Sequence, residues 1–172
     1  MIHLIYKFTK GLIMTSEITS ELGCMTLVAG LLDILREVNG DEVTGDLIYM
    51  NFHQKGENLG EKIGKVKDPQ TALQQFIEYI KFYFDIEIIN ENSKEKEYTA
   101  DIRFKSCLIK DLCSNQGLSI KNPLCRSTNG LIEGALSFMT GKQVDLDISI
   151  VDMDICQGTI QFKKKRDIFH LI

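Results

Sequence analysis

The sequence predicts an α+β domain in which an antiparallel sheet packs against helices. Three observations carry this expectation. Apolar residues recur at three- and four-residue steps over 16–39 and 68–84, the spacing of amphipathic helices. They alternate with polar residues over 86–105 and 144–164, the spacing of half-buried strands. The order is helices, hairpin, helix, hairpin, which does not suit a doubly wound parallel sheet. At 172 residues, 44% hydrophobic and 26% charged, the chain has the size and composition of one globular domain. It can bury a core without disulfides or metal ions. We expect residues 1–15 to form an N-terminal extension and 16–172 a single domain.

In the first helix, over 16–39, Ile18, Leu22, Met25, Val28, Leu32 and Leu35 share one face. Ser16 is placed as N-cap, and Asn39-Gly40 supplies a left-handed stop. A second helical stretch runs from about Leu47 to Lys65 with Leu59 and Ile63 on one face. Gly56, Gly60 and Gly64 follow along it at steps of four, a smooth stripe that admits another backbone. Asp68-Pro69 opens a third helix with a cap and a favoured first-turn residue, and its core face is Leu73, Phe76, Ile77, Ile80 and Phe84. Two strands, 86–90 and 98–105, then flank a polar turn, with Tyr98, Ala100, Ile102 and Phe104 facing inward. Residues 106–122 read as a loop or short irregular helix. Asn122-Pro123 starts a fourth helix that ends at Gly141. In the last hairpin Val144, Leu146, Ile148 and Ile150 alternate with polar residues, and Cys156, Ile160 and Phe162 share one face of the return strand.

Composition and motifs exclude several classes. A net charge of −4 and a pI near 5.4 do not suit a nucleic-acid binder, and the basic run Lys163–Arg166 reads as a solvated strand end. No apolar run approaches the roughly 20 residues of a membrane span. The first 14 residues lack the features of a signal peptide; Met14 is an alternative start. Phosphate-binding glycine loops, HExxH and GxSxG are absent. The histidines, His3, His53 and His170, are scattered, so a Cys–His nucleophilic pair is not expected; His53 reads as a solvent-facing helical residue. Asp145 and Asp147 read as the wet face of a strand. The five cysteines, Cys24, Cys107, Cys113, Cys125 and Cys156, are too few and scattered for a secreted disulfide scaffold. Reduced thiols in a cytoplasm are expected. Cys24 reads as a core residue of the first helix.

The informative segment is 125–162. Cys125 falls in the first turn of a helix, where free backbone N–H groups and the helix dipole favour a thiolate. Gly130 and Gly134 lie one above the other and offer a flat face. The last strand brings Cys156 back from far along the chain.

Cys125, Gly130, Gly134 and Gly141 together resemble the 4-vinyl-reductase domain family, in which a cysteine precedes a helix of the form Cys-x4-Gly-x3-Gly-x6-Gly. Ile48-Tyr49 with Gly56 and Gly60 is similar to the family's segment between its early helices, so the resemblance spans about residues 45–163. It implies a ligand-binding fold of the NO-signalling and Golgi-transport type, pairing as a homodimer through its helices. With no DNA-binding module, the chain looks most like the family's free-standing archaeal members. In metal-binding members, zinc is held by the helix cysteine, an acidic residue and two cysteines of the last hairpin. By position Cys125 and Cys156 match. The acidic ligand falls at about Met153, so Asp152 or Asp154 would substitute. The final cysteine falls near Gln161, an amide and a poor zinc ligand. Cys107 and Cys113 are extra thiols that could complete a four-thiolate zinc site with Cys125 and Cys156; the same residues also read as small buried hydrophobes.

The leading functional expectation is a domain that binds or senses an apolar or aromatic small molecule, with no independent catalytic activity. Its pocket would be lined partly by the helices carrying Phe76–Phe84 and Leu131–Phe138, positions that also read as core. The alternatives are a zinc-stabilised protein-interaction module and an accessory subunit of a vinyl or tetrapyrrole reductase.

Overall fold

A computed structural model describes residues 2–94, 97–152 and 154–164, with side chains from Leu22 onward except at Lys94. The readings placed on the side chains of His3 and Ile18, on Met153 and His170, on the turn at 95–96 and on the end of the basic run at 165–166 lie outside what is so described. Ser16, expected as the N-cap of the first helix, lies inside α1 and is not a cap. Among the described residues, four helices and four strands follow the expected order: α1 (Ile2–Ile63), α2 (Pro69–Ile80), β1 (Phe84–Lys94), β2 (Glu97–Cys107), α3 (Leu108–Gln116), α4 (Cys125–Thr140), β3 (Gln143–Val151) and β4 (Cys156–Lys163). The strands form one antiparallel sheet in the order β1-β2-β4-β3. The second hairpin therefore docks through its return strand, and β4 becomes an interior strand.

Helix α1 breaks at Gly40, whose φ of 76° and ψ of 168° only glycine adopts without strain. The expected stop is there, and the helix resumes at once instead of at Leu47. Contacts across the break fix the angle. Thr44, fully buried, donates to the carbonyl of Leu35 at 3.0 Å, and Arg36 clasps Asp41 with two hydrogen bonds of 2.6 and 3.2 Å. At its other end α1 hands on to α2 through the expected cap, Asp68, whose carboxylate accepts from the Thr71 amide and hydroxyl at 2.9 and 2.6 Å.

The core lies between the sheet and helices α2 and α4. Phe76, Ile102, Ile132, Leu136, Ile160 and Phe162 are completely enclosed there. The alternation along β2 is as expected, with Tyr98, Ala100, Ile102 and Phe104 inside. Residues 106–122 are more regular than expected. Leu108–Gln116 form α3, closed by Gly117 in the left-handed conformation. Helix α4 begins at Cys125, two residues after Pro123. Asn122 instead organises the preceding turn, its side-chain oxygen accepting from the Leu124 amide at 2.8 Å. Gly141 ends α4 with φ of 69°, and its N–H returns to the Ser137 carbonyl. The adjoining carbonyls of Phe138 and Met139 are taken by the Lys65 ammonium at 2.6 Å and the Val66 amide at 2.9 Å.

Helices α1 and α4 cross with backbone against backbone. A methyl group at Gly56 would strike the carbonyl of Leu131, and one at Gly60 the carbonyl of Ala135. One at Gly130 would strike the carbonyl of Tyr49, and one at Gly134 the carbonyl of His53. The two glycine pairs read separately in the sequence thus face one another. Gly64, the third member of the first stripe, instead sits at the end of α1 with φ of 108° and nothing opposite.

The part of α1 before Gly40 is different. Between Leu22 and Asn39 only Ala29 and Leu32 are buried. Leu22, Val28 and Leu35, expected on its core face, are about two-fifths exposed, and Leu31, Ile34 and Val38 more so. Cys24, expected in the core, is exposed for the same reason: this arm runs past the body of the domain and has little to pack on. Among the described residues no helix is long and apolar enough to cross a membrane.

Candidate functional site

Beneath one end of the sheet, α3, the turn after it and the start of α4 close over the strands and leave a cavity of about 200 Å³. Its sheet wall is a row of register partners. Phe104 on β2 pairs with Cys156 on β4, which pairs with Val151 on β3. Ile148 extends this apolar wall. Cys107, the last residue of β2 and the cap position of α3, turns in beside Lys110 from the next turn. The opposite wall comes from Ile120 and Asn122 in the turn and from Cys125, Thr128 and Asn129 on α4.

The structure therefore gathers Cys107, Cys125 and Cys156 around one space, though they are up to 49 positions apart in sequence. Cys113 lies just behind it on α3, completely buried, its sulfur accepting from the Asn122 amide at 3.0 Å. Cys125 donates to the carbonyl of Ile120 at 3.0 Å. All four candidate ligands thus belong to one neighbourhood. Among the described residues, however, no three His, Cys, Asp or Glu side chains are grouped as a metal cage. The substitute acidic ligands are not beside the thiols: Asp152 and Asp154 are exposed in the β3–β4 turn, where the Asp154 amide approaches the Asp152 carboxylate at 3.4 Å. Gln161 is five residues beyond Cys156 on an unbroken strand, so it faces the other side of the sheet. Any side chain at 161 would be turned away from this cavity.

The thiols are not activated. Burial pushes the Cys125 thiol up to about 12, and the neighbouring cysteines add to the shift, because a thiolate here would meet other sulfurs. The expected help from the helix N-terminus is outweighed: desolvation acts on the whole charge, whereas only one end of a helix faces it. Cys107, Cys113 and Cys156 are likewise raised, first by burial. At neutral pH the four are protonated and act as small, polarisable wall groups.

Sequence reasoning passed over Glu133. It is buried at the centre of α4, where one carboxylate oxygen accepts from the Leu146 amide on β3 at 2.7 Å and the other from the Tyr49 hydroxyl on α1. One side chain ties three elements together. Burial raises its pKa against the pull of the Tyr49 hydrogen bond. Its signal was a lone acid inside an otherwise apolar and small-residue helix face. His53, by contrast, sits on α1 with Glu57 one turn on and Tyr49 one turn back, and is not part of the cavity wall.

The pocket expected between the aromatic helices corresponds to a second feature. Phe76 and Leu136 are core, but Phe52, Leu59, Tyr79, Ile80, Phe84 and Leu131 border an open groove of about 520 Å³ between α1, α2 and α4.

No protein-family model matches the chain, and no curated protein matches it by sequence. Among solved structures it is similar to the phenol-responsive sensory domain of the transcription activator PoxR, solved with phenol. That match has a TM-score of 0.60 and 14% identity over 81% of this chain and 74% of that one. It is also similar to subunit 3 of a trafficking protein particle complex from Naegleria fowleri, solved covalently bound to palmitic acid. Here the TM-score is 0.58 and the identity 16%, over 86% of this chain and 97% of that one. The chain accordingly has the α+β fold of the NO-signalling and Golgi-transport type, an antiparallel sheet packed against helices.

Proposed function

We propose that this chain is a small-molecule-binding domain of the 4-vinyl-reductase type, and that its ligand is a compact apolar compound held between Phe104, Cys156 and Val151 on one side and α4 on the other. The cavity itself carries this reading. An apolar space of about 150 Å³ is enough for a benzene molecule, so about 200 Å³ suits one substituted ring. Support also comes from the ligands in the two similar structures, phenol and palmitic acid. A ring matches the cavity; an extended acyl chain has more room in the groove beside Tyr79. The protonated, unactivated thiols fit a wall more readily than a catalytic centre.

Phenol is a suitable probe. Wild-type protein should show saturable binding by calorimetry, and Val151→Trp, which fills the cavity from the strand, should abolish it while the far-ultraviolet circular dichroism stays unchanged. Equal binding by the two proteins would place the phenol elsewhere and sink the assignment.

A thiol-bound zinc is the second reading, supported by the convergence of Cys107, Cys113, Cys125 and Cys156. It would give the accessory-subunit and interaction-module alternatives a physical basis. A bound zinc ion would itself hold the thiols deprotonated. Elemental analysis of protein purified without chelator should then find zinc stoichiometric with the chain and lost in Cys125→Ser; metal-free protein of full stability removes this reading. For the partner we propose a second copy of the same chain, docked along the uncovered arm of α1.

A further inference from the structure

Two cationic side chains reach the thiol cavity, and their surroundings differ. Arg126 is half-exposed; its guanidinium meets Asp46 at 3.0 Å and lies over the Tyr49 ring. Lys110 is only 8% exposed. Among the described residues its ammonium pairs with no carboxylate and donates no side-chain hydrogen bond, and it lines the cavity. Asp111, its neighbour in sequence, is exposed, and Asp145 is engaged by Lys163. The side chains that share the cavity wall with Lys110 include those of Cys107 and Cys156.

Among the described residues no buried side-chain nitrogen lacks a partner, so the Lys110 ammonium is open to the cavity, and a cation there with no carboxylate beside it attracts an anion. The cavity therefore has a cationic end lacking an anion and an apolar body formed by Phe104, Ile148 and Val151. Thr128 contributes a hydroxyl to the same wall on the α4 side. We infer that the ligand is a small aromatic carboxylate, its head group paired with Lys110 and its ring against Phe104, Ile148 and Val151. This inference rests on the proposed cavity binding and specifies the ligand's charge.

Benzoate and benzyl alcohol, nearly equal in size and differing in charge, separate the two ideas by calorimetry at pH 7. Wild-type protein should bind benzoate at least about tenfold more tightly, the usual scale of a desolvated charge-assisted contact. Lys110→Met should remove the preference for benzoate, and Lys110→Arg should restore it. Equal or tighter binding of benzyl alcohol by the wild type would overturn the inference and leave the cavity reading standing. Persistence of the preference in Lys110→Met would also overturn it. Failure of benzoate, benzyl alcohol and phenol alike would remove the cavity reading, and this inference with it. The wild-type comparison does not depend on any variant folding.

Discussion

Glu133 shows how a single buried carboxylate can organise this fold and make it respond to pH. Tyr49 is held as the donor, since burial first and the Glu133 hydrogen bond second keep its phenol protonated well above the physiological range. Replacing Glu133 by alanine would leave the Leu146 amide without its acceptor, at a cost of about 1–3 kcal/mol. Glutamine preserves an acceptor and removes the charge. Because the folded-state pKa of Glu133 is raised, the unfolded chain releases this proton first as pH rises. Its contribution to stability is therefore greatest in acid and declines from the ordinary value near 4.5 through the raised folded one. Urea unfolding of Glu133→Gln from pH 4 to 8 should give a flatter profile than wild type; an unchanged profile would show that Glu133 does not titrate differently in the folded state. In the sequence this residue is one acid among 24 acidic residues, and its burial depends on strands far from it. The cysteines were easier to read, because a thiol is rare and its position in a helix turn or strand is local information. Their protonation was not legible, since the desolvation that decides it exists only in the assembled cavity.

At the scale of elements, the contact between α1 and α4 is the part of the fold most directly written in the residues. Glycines at steps of four mark a face with no side chains, and two such faces in one chain suit each other. Their pairing puts Gly134 against the His53 carbonyl and Gly130 against that of Tyr49, at 2.5 Å from where a methyl carbon would stand in the latter case. Backbone cannot swing aside as a side chain can. Gly134→Ala should consequently destabilise by about 2–3 kcal/mol, even though alanine favours an isolated helix by about 1 kcal/mol. A domain of this size would lose about 4–12 °C in Tm, measured by scanning calorimetry. An equal or higher Tm would mean that the helices do not cross through these glycines. Strand alternation was equally legible along β2, where tertiary demand and local pattern agree. Helix boundaries were less so. Pro123 signalled a start, but the turn around Asn122 displaces α4 to Cys125. Gln161 lies on the opposite face of β4 from Cys156, Ile160 and Phe162, a parity that the alternation in the sequence already carries.

The whole molecule is unbalanced in one respect: it has a closed core and an α1 arm that carries its own apolar stripe outside it. Leu27 and Leu31 are 69% and 61% exposed, Ile34 58% and Val38 75%. They recur at three- and four-residue steps, so they form one strip along one side of the helix. A monomeric protein seldom leaves an apolar patch of more than a few hundred Å² in water. An isolated helical arm also gains little stability from its own hydrogen bonds, so tertiary or intersubunit packing has to hold it. A helix that meets its own copy about a two-fold axis presents the same strip on both sides and closes after two chains. The sequence pattern assigns a different face, with Leu22, Met25, Val28, Leu32 and Leu35, to the core and passes over this strip, because periodicity reports that a face wants burial and not which surface provides it. If a second copy covers it, sedimentation equilibrium at micromolar concentration should give twice the chain mass of 19.6 kDa. Leu31→Asp with Ile34→Asp should return one chain mass without disturbing ligand binding, since neither residue borders the thiol cavity. Arm and body should also part in hydrogen exchange: amides of 22–39 should exchange faster in the double variant while those of α4 stay protected. A wild-type protein that sediments as a single chain with a well-protected arm would refute the paired arrangement.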